Sequence, residues 1–340
     1  MRVWSEDDGE GRPASAAGAP GPHDHAHPHD HALPHDHAHP HAPSAPGTHP
    51  RIGIVGAGAV GTALGVAFSR AGWGIAAVAS RDPGRRERFV RMVGGATLAF
   101  AEPTPLLDEV ELVFLAVPDD AIARVAGGLH LYSGQALVHT SGLLGAEVLV
   151  PAMAAGTQVG SFHPLVAFAD TERAVAALRG ATVALEGDEW LVALLAELAE
   201  AIGATPVRLA PGAKAAYHAA AVLAAGGFVA LLDAIAELGR VAGLDEAGSL
   251  AVYGPLVTQT LGNARALGIR AALTGPMTRG DVGTLQAHLS ELRRHAPGVL
   301  GLYVAAAERE IQLALERGAV APERADLLRA VIAAAVAESI

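Results

Sequence analysis

Six residues, Gly56-Ala57-Gly58-Ala59-Val60-Gly61, constrain this chain more than any other stretch. They follow the apolar run Ile52-Gly53-Ile54-Val55, which reads as a short buried strand, and they lead into a helix-like stretch over residues 62–71. Each glycine of such a turn has a physical task. Gly56 permits the tight turn, Gly58 lets a pyrophosphate approach the backbone, and Gly61 allows close helix–strand packing, while the helix N-terminus faces the negative charge. Strand, glycine turn and helix in this order predict a dinucleotide-binding domain.

Further apolar runs at residues 75–79, 112–117, 136–139, 158–161, 181–185 and 205–209 alternate with helical patterns. The expected fold class is therefore α/β, a doubly wound Rossmann-type, mainly parallel sheet of about eight strands. After Pro211-Gly212 the pattern changes to long Ala/Leu-rich helices without a convincing strand, which predicts a smaller all-α domain. The expected organisation is a tail over residues 1–50, a Rossmann domain over 51–210 and a helical substrate and dimerisation domain over 211–340. No repeat at a fixed period points to a solenoid.

The net charge of −11, without a basic run, argues against nucleic acid as a partner. The absence of cysteine excludes disulfides, thiolate catalysis and cysteine-ligated metals. Residues 1–11 are acidic and lack the apolar stretch of a secretory signal, so a cytoplasmic location is expected. Ten of the 16 histidines lie between His23 and His49, in a segment too polar and too rich in Pro and Ala to offset its ordering entropy. There His23, His25, His27, His29 and His31, interleaved with Asp24 and Asp30, offer a loose divalent-metal site on an otherwise solvated tail. Residues 219–232 are uninterruptedly apolar but short of the roughly 20 residues a bilayer needs. Their small side chains at helical spacing predict a buried helix in the core or at a homodimer interface rather than a membrane span.

The end of the second strand selects the cofactor. An NAD site carries an acidic residue about 20 residues after the glycines, whereas this chain has Ser80-Arg81 there. A hydroxyl and a forked guanidinium suit a 2′-phosphate, which favours NADP, with Asp82 as the competing carboxylate and Arg85 and Arg86 as auxiliaries or as a solvated helix face. Val117, Pro118 and Asp119, at the end of a later strand, are expected near the nicotinamide ribose.

Lys214 is the single lysine among 24 basic residues. A lysine that persists in so arginine-rich a chain suits a role that needs a tunable proton, because an amine can be shifted by burial and a guanidinium cannot. It opens the first long helix of the second domain, one turn before His218, so the two side chains share a face.

In order along the chain stand the glycine turn, His139-Thr140-Ser141-Gly142, Ser161-Phe162-His163-Pro164-Leu165, Lys214 with Tyr217-His218-Ala219-Ala220, and Leu273-Thr274-Gly275-Pro276 with Arg279-Gly280-Asp281. Over about residues 51–315 this combination resembles Rossmann-like proteins fused to the domain of unknown function numbered twenty-five-twenty, of the 6-phosphogluconate dehydrogenase-like superfamily. The resemblance implies an NADP-dependent oxidoreductase of unsettled substrate. In the β-hydroxyacid dehydrogenases of that superfamily a lysine on the first long helix gives the proton to the carbonyl; Lys214 is similar to it, although His218 stands where an Asn is usual. His163, in its His-Pro pair, resembles the histidine that contacts the reacting hydroxyl in prephenate and arogenate dehydrogenases. Either residue is thus a candidate for the proton.

Ser141 and Gly142 end a strand on the ligand side of a doubly wound sheet, where a hydroxyl suits a substrate carboxylate or carbonyl. Arg279, in a Gly- and Pro-marked loop, is the candidate partner for an anionic substrate, and Asp281 reads as the cap of the following helix. The expected activity is hydride transfer between NADPH and a small, anionic keto, hydroxy or imino compound. The alternatives are a non-catalytic NADP-binding sensor, a metal-handling role for the tail, and a deazaflavin as hydride partner.

Overall fold

The computed structural model describes residues 49–153 and 156–338. The candidate metal residues His23, His25, His27, His29 and His31 lie outside them. β1 (Ile52–Val55) is buried along its whole length, as a strand without polar side chains must be when helices cover both sheet faces. The glycine turn leads from it into α1 (Ala59–Arg70). The alternation continues through β2 (Ile75–Ala79), α2 (Pro83–Val93), β3 (Leu98–Phe100), β4 (Leu112–Leu115), α3 (Asp119–Gly127), β5 (Ala136–His139) and β6 (Gln158–Pro164). Then come α4 (Thr171–Leu178), β7 (Thr182–Gly187), α5 (Glu189–Ala201) and β8 (Thr205–Arg208).

The eight strands form one sheet in the order β3-β2-β1-β4-β5-β6-β7-β8. Strand order reverses at β1, which lies between β2 and β4, and crevices at such a switch point are where open α/β sheets bind ligands. All neighbouring pairs are parallel except β6 with β7. Phe68 of α1, Phe114 of β4 and Phe162 of β6 meet with ring centroids 5.3 to 5.8 Å apart, a tilted and edge-on cluster that clamps α1 to the sheet. With Phe162 drawn into this core, the strand's period of two turns His163 the other way.

The expected mainly parallel sheet is present, with three local differences from the sequence reading. β3 has only three residues at a sheet edge, too few to leave an apolar pattern. β4 ends at Leu115, which releases Ala116, Val117 and Pro118 into the turn before α3. β6 runs on past Ser161, because antiparallel β7 pairs with it as far as Pro164, so His163 is held inside a strand opposite Ala184.

Beyond β8, among the described residues, the chain is helical throughout. α6 (Lys214–Val222) passes through a π turn, Leu223–Gly227, into α7 (Phe228–Val241), and α8 (Glu246–Leu267) packs back against α7. The short α9 (Ile269–Ala272) and α10 (Pro276–Arg279) precede α11 (Val282–His295), α12 (Pro297–Glu316) and α13 (Pro322–Ala337). The last three bury Leu285, Leu289, Ile311 and Leu328 in a second core, to which α7 adds Ala234 and α10 adds Met277. Asp281 accepts hydrogen bonds from the Thr284 backbone N–H and hydroxyl, so it caps α11 as its position suggested.

Of the two placements expected for residues 219–232, the core and a homodimer interface, the structure excludes the core. Leu223 is 72% and Val229 64% exposed, and α8 leaves Val252, Leu256 and Leu261 uncovered as well. The reason is geometric, since α7 packs on α8 and, through Ala234, on the core around α12, and nothing among the described residues covers the remaining apolar face. Lys214–Val241, 28 residues, is long and apolar enough to cross a membrane by length and composition alone.

Candidate functional site

A cleft of about 1040 Å³ lies at the carboxyl ends of the parallel strands, at the top of the roughly 300–1,000 Å³ range of small-molecule sites. Its floor is the glycine turn. Gly56 has φ +110°, and a Cβ there would stand 2.2 Å from the Ala116 carbonyl oxygen. At Gly61 a Cβ would stand 2.0 Å from the Gly56 oxygen, so α1 lies directly on the turn. Gly58 is different, because a Cβ added there meets no atom within 4 Å. Its missing side chain therefore opens the floor of the cleft without being required by packing. Gly58 also caps α1 without a side-chain hydrogen bond, which leaves the first-turn N–H groups to an incoming anion.

Ser80, Arg81, Asp82 and Arg85 form one wall. Asp82 is occupied: it accepts from the Arg85 backbone N–H at 3.1 Å as the cap of α2, and its other oxygen lies 3.4 Å from the Arg85 guanidinium. Arg86 donates to the Ser80 carbonyl. Arg81 is exposed and has no ion-pair partner among the described residues, so its guanidinium remains available to a phosphate. Glu102, Thr104, Arg124 and Phe168 also line the cleft. No sequence motif flagged these four, since they reach it from the loop after β3 and the 3-10 turn that follows it, from the last turn of α3 and from the segment after β6.

Ala59 and Val60 border the glycine floor together with Ala57, and Val117, Pro118 and Asp119 form the opposite rim with Thr140, Ser141 and Gly142. The rim is held from below by His139, which is fully buried. Its Nδ1 accepts from the Ser141 N–H at 3.2 Å, so its Nε2 carries the proton and donates to the Gly145 carbonyl at 3.0 Å. Burial pushes this imidazole down to about 4, which keeps it neutral. Ser141 Oγ donates to Asp119 at 2.7 Å and accepts from the Leu143 and Leu144 N–H groups. Those three bonds use its whole hydrogen-bonding capacity, so the structure places Ser141 as the lock of the loop rather than as a group free to hold a substrate.

Lys214 opens α6 and is 4% exposed. Its Nζ donates to the Ser141 carbonyl at 2.7 Å, which joins the helical region to the rim of the cleft. Burial lowers the ammonium to about 8, against an opposing pull from Glu186, Asp119 and Glu147. Lys214 itself lines neither this cleft nor a smaller cavity that adjoins it; the imidazoles of His163 and His218 line both, with ring centroids 5.9 Å apart. Gly142 makes that arrangement possible, because a Cβ there would stand 2.4 Å from His218 Cδ2 and 2.7 Å from His163 Nε2. His163 Nδ1 is 3.3 Å from the Tyr217 hydroxyl, and burial followed by the nearby Lys214 lowers its pKa to about 4. The sequence marks Tyr217 only as part of a motif, although its place three residues after Lys214 sets both on one helix face.

The structure thus brings Lys214, His163, His218, Ser141 and Gly142 together with the glycine turn. Arg279 is not brought there. It is exposed at the end of α10, beside Asp281, and lines neither cavity.

Comparisons with known proteins follow the same division. Residues 42–164 match the family model of a Rossmann-like domain, and residues 181–310 match that of a domain of unknown function, DUF2520. No curated protein matches the chain. Among solved structures, protein TM1727 from Thermotoga maritima is 28% identical with a TM-score of 0.61, covering 78% of this chain and 99% of its own. A 1-pyrroline-5-carboxylate reductase from Streptococcus pyogenes is 18% identical with a TM-score of 0.57, covering 78% of this chain and 98% of its own. A reductive aminase from Aspergillus terreus, solved with NADPH, is 19% identical with a TM-score of 0.54, covering 86% of this chain and 95% of its own.

Proposed function

Because the chain joins a Rossmann-like domain to a DUF2520 domain, we propose that it is an NADP(H)-dependent oxidoreductase acting on a small keto, hydroxy or imino compound. The observation that carries this reading is the buried Lys214 amine, bonded to the rim of a cleft whose floor is a Gly-x-Gly-x-x-Gly turn. The pyrroline-carboxylate reductase and the NADPH-bound reductive aminase among its structural neighbours support the class of reaction.

The cleft fits the cofactor. Gly56, Gly58 and the residues through Gly61 would take the pyrophosphate, Ser80 and Arg81 the 2′-phosphate, and Val117 to Asp119 the nicotinamide ribose. When bound, NADPH supplies the hydride: the carbonyl or imine carbon gains it, the heteroatom gains a proton, and the alcohol or amine leaves with NADP⁺. The protein's own task is orientation and the proton. Lys214, with its ammonium lowered to about 8, is matched to give a proton near neutral pH. His163, neutral and braced by Tyr217, is a hydrogen-bonding partner for the reacting oxygen or nitrogen rather than an acid.

One observation favours a non-catalytic NADP sensor: Lys214 lines neither cavity and must leave the Ser141 carbonyl to reach a substrate. Turnover of NADPH, followed by absorbance, separates the two. Lys214→Arg keeps charge and NADPH affinity but is expected to lose at least about 100-fold in turnover. Full activity in that variant removes the lysine from the proton step, and a protein that binds NADPH but turns over no carbonyl or imine is a sensor.

The same reading includes a homodimer. The uncovered face of α6 to α8 combines Ala and Gly at helical spacing with Leu223 and Val229, and close helix–helix contact with a second copy would cover it. Asp233, Glu237 and Arg240 in the same helix disfavour a bilayer as its cover.

A further inference from the structure

A second cavity, of about 690 Å³, opens between the end of β6 and the helix that runs from α6 into α7. His163 and His218 belong to the walls of both this cavity and the cofactor cleft, so the two adjoin at the pair of imidazoles. The rest of the lining is largely apolar, with Leu165 and Val166 on one side and Ala221, Val222 and Ala225 on the other. Among the described residues, no Asp, Glu, Lys or Arg lines it. Its polar side chains are His163, Tyr217 and His218. His163 is neutral near pH 7, and burial pushes the Tyr217 hydroxyl up to about 12, so it too stays uncharged. The helix forms its wall through the π turn Leu223–Gly227, a local widening of a kind that recurs at functional sites, and the small residues of that turn keep the space open.

A carboxylate in this cavity would lose part of its hydration and find no Lys or Arg in the lining, an unfavourable exchange, whereas an apolar group would be favoured by burial. The anionic substrate expected from Arg279 has no support here, since Arg279 lines neither cavity. We propose that the second cavity receives the uncharged, apolar body of a ketone or imine and presents the carbon of its C=O or C=N bond between His163 and His218 to the cofactor cleft. This inference rests on the oxidoreductase reading.

The test is ligand-observed NMR titration of the full chain with methyl ethyl, methyl propyl and methyl butyl ketone, and with levulinate, in which a carboxylate replaces the terminal methyl of methyl propyl ketone. Each added methylene is expected to tighten binding about fourfold, the equivalent of ~0.8 kcal/mol per buried CH₂. Levulinate is expected to bind at least about tenfold more weakly than methyl propyl ketone. Ala221→Leu and Ala225→Leu, each filling the cavity from a different point of the helix, are expected to weaken ketone binding at least about tenfold without changing NADPH affinity or the melting temperature. Absent or flat ketone binding, equal or tighter levulinate binding, or unchanged ketone affinity in both variants overturns the proposal. A shift of oligomeric state in the variants with unchanged ketone affinity assigns the cavity to a second copy of the chain and overturns it too. NADPH titration of the unmodified protein is read separately: its failure removes the oxidoreductase reading, while the ketone series still judges the cavity.

Discussion

Replacing Lys214 by Met tests whether the fold holds this amine in a state suited to proton transfer. In the unfolded chain the ammonium keeps the ordinary value of 10.5, whereas in the fold burial lowers it to about 8. Below pH 8 both states are protonated, and the folded protein bears the full cost of a buried charge. Between pH 8 and 10.5 the unfolded state still binds the proton that the folded state has released, so stability rises with pH over that window. Each pH unit is worth about 1.36 kcal/mol, so the interval amounts to about 3 kcal/mol, which screening by water in the adjoining cleft reduces to about 2 kcal/mol. Lys214→Met has no such titration. It also leaves the Ser141 carbonyl without its partner, but that loss, about 1–3 kcal/mol, does not depend on pH and only offsets the curve. Urea denaturation of both proteins from pH 7 upward gives the stability difference, in which other titrating groups cancel. The unmodified protein should gain about 2–3 kcal/mol on the variant between pH 8 and 10.5 and nothing below pH 8. A flat difference through that window would mean that the amine keeps an ordinary pKa, and the argument for proton donation near neutral pH would fail with it.

NADPH should bind more tightly than NADH, and Arg81→Ala should remove most of the difference, about 1–3 kcal/mol, in a fluorescence titration; equal affinities in the unmodified protein contradict the assignment of Arg81 to the 2′-phosphate. Gly56→Ala should destabilise the fold by about 3 kcal/mol or more, because its Cβ would meet the Ala116 oxygen at a backbone angle that strains any side chain. Gly58→Ala should melt within about 0.5 kcal/mol of the unmodified protein yet bind NADPH at least tenfold more weakly, so normal NADPH binding would remove Gly58 from the pyrophosphate site. Light scattering at micromolar concentration should report a dimer that Leu223→Asp combined with Val229→Asp converts to monomer; a monomeric unmodified protein refutes a second copy as the cover for α6 to α8.

The sequence by itself determines the features whose cause is local. A strand, three glycines and a helix are legible because each rests on backbone sterics or hydropathy within one short stretch, and the strand–helix alternation that follows specifies a doubly wound sheet. Lys214 stands out for a chemical reason, since arginine occupies every other basic position. Tertiary structure decides whatever depends on groups distant in the chain. It places the Lys214 amine on a carbonyl 73 residues away, uses the Ser141 hydroxyl on Asp119 and two backbone N–H groups, and closes His163 and His218 around Gly142. It keeps Arg279 at the surface and leaves an apolar segment that reads as core or dimer interface as a helix face uncovered within the chain's described residues. Hydropathy records that such a segment is apolar, but only the packing of α7 and α8 decides which of its sides is left without a neighbour.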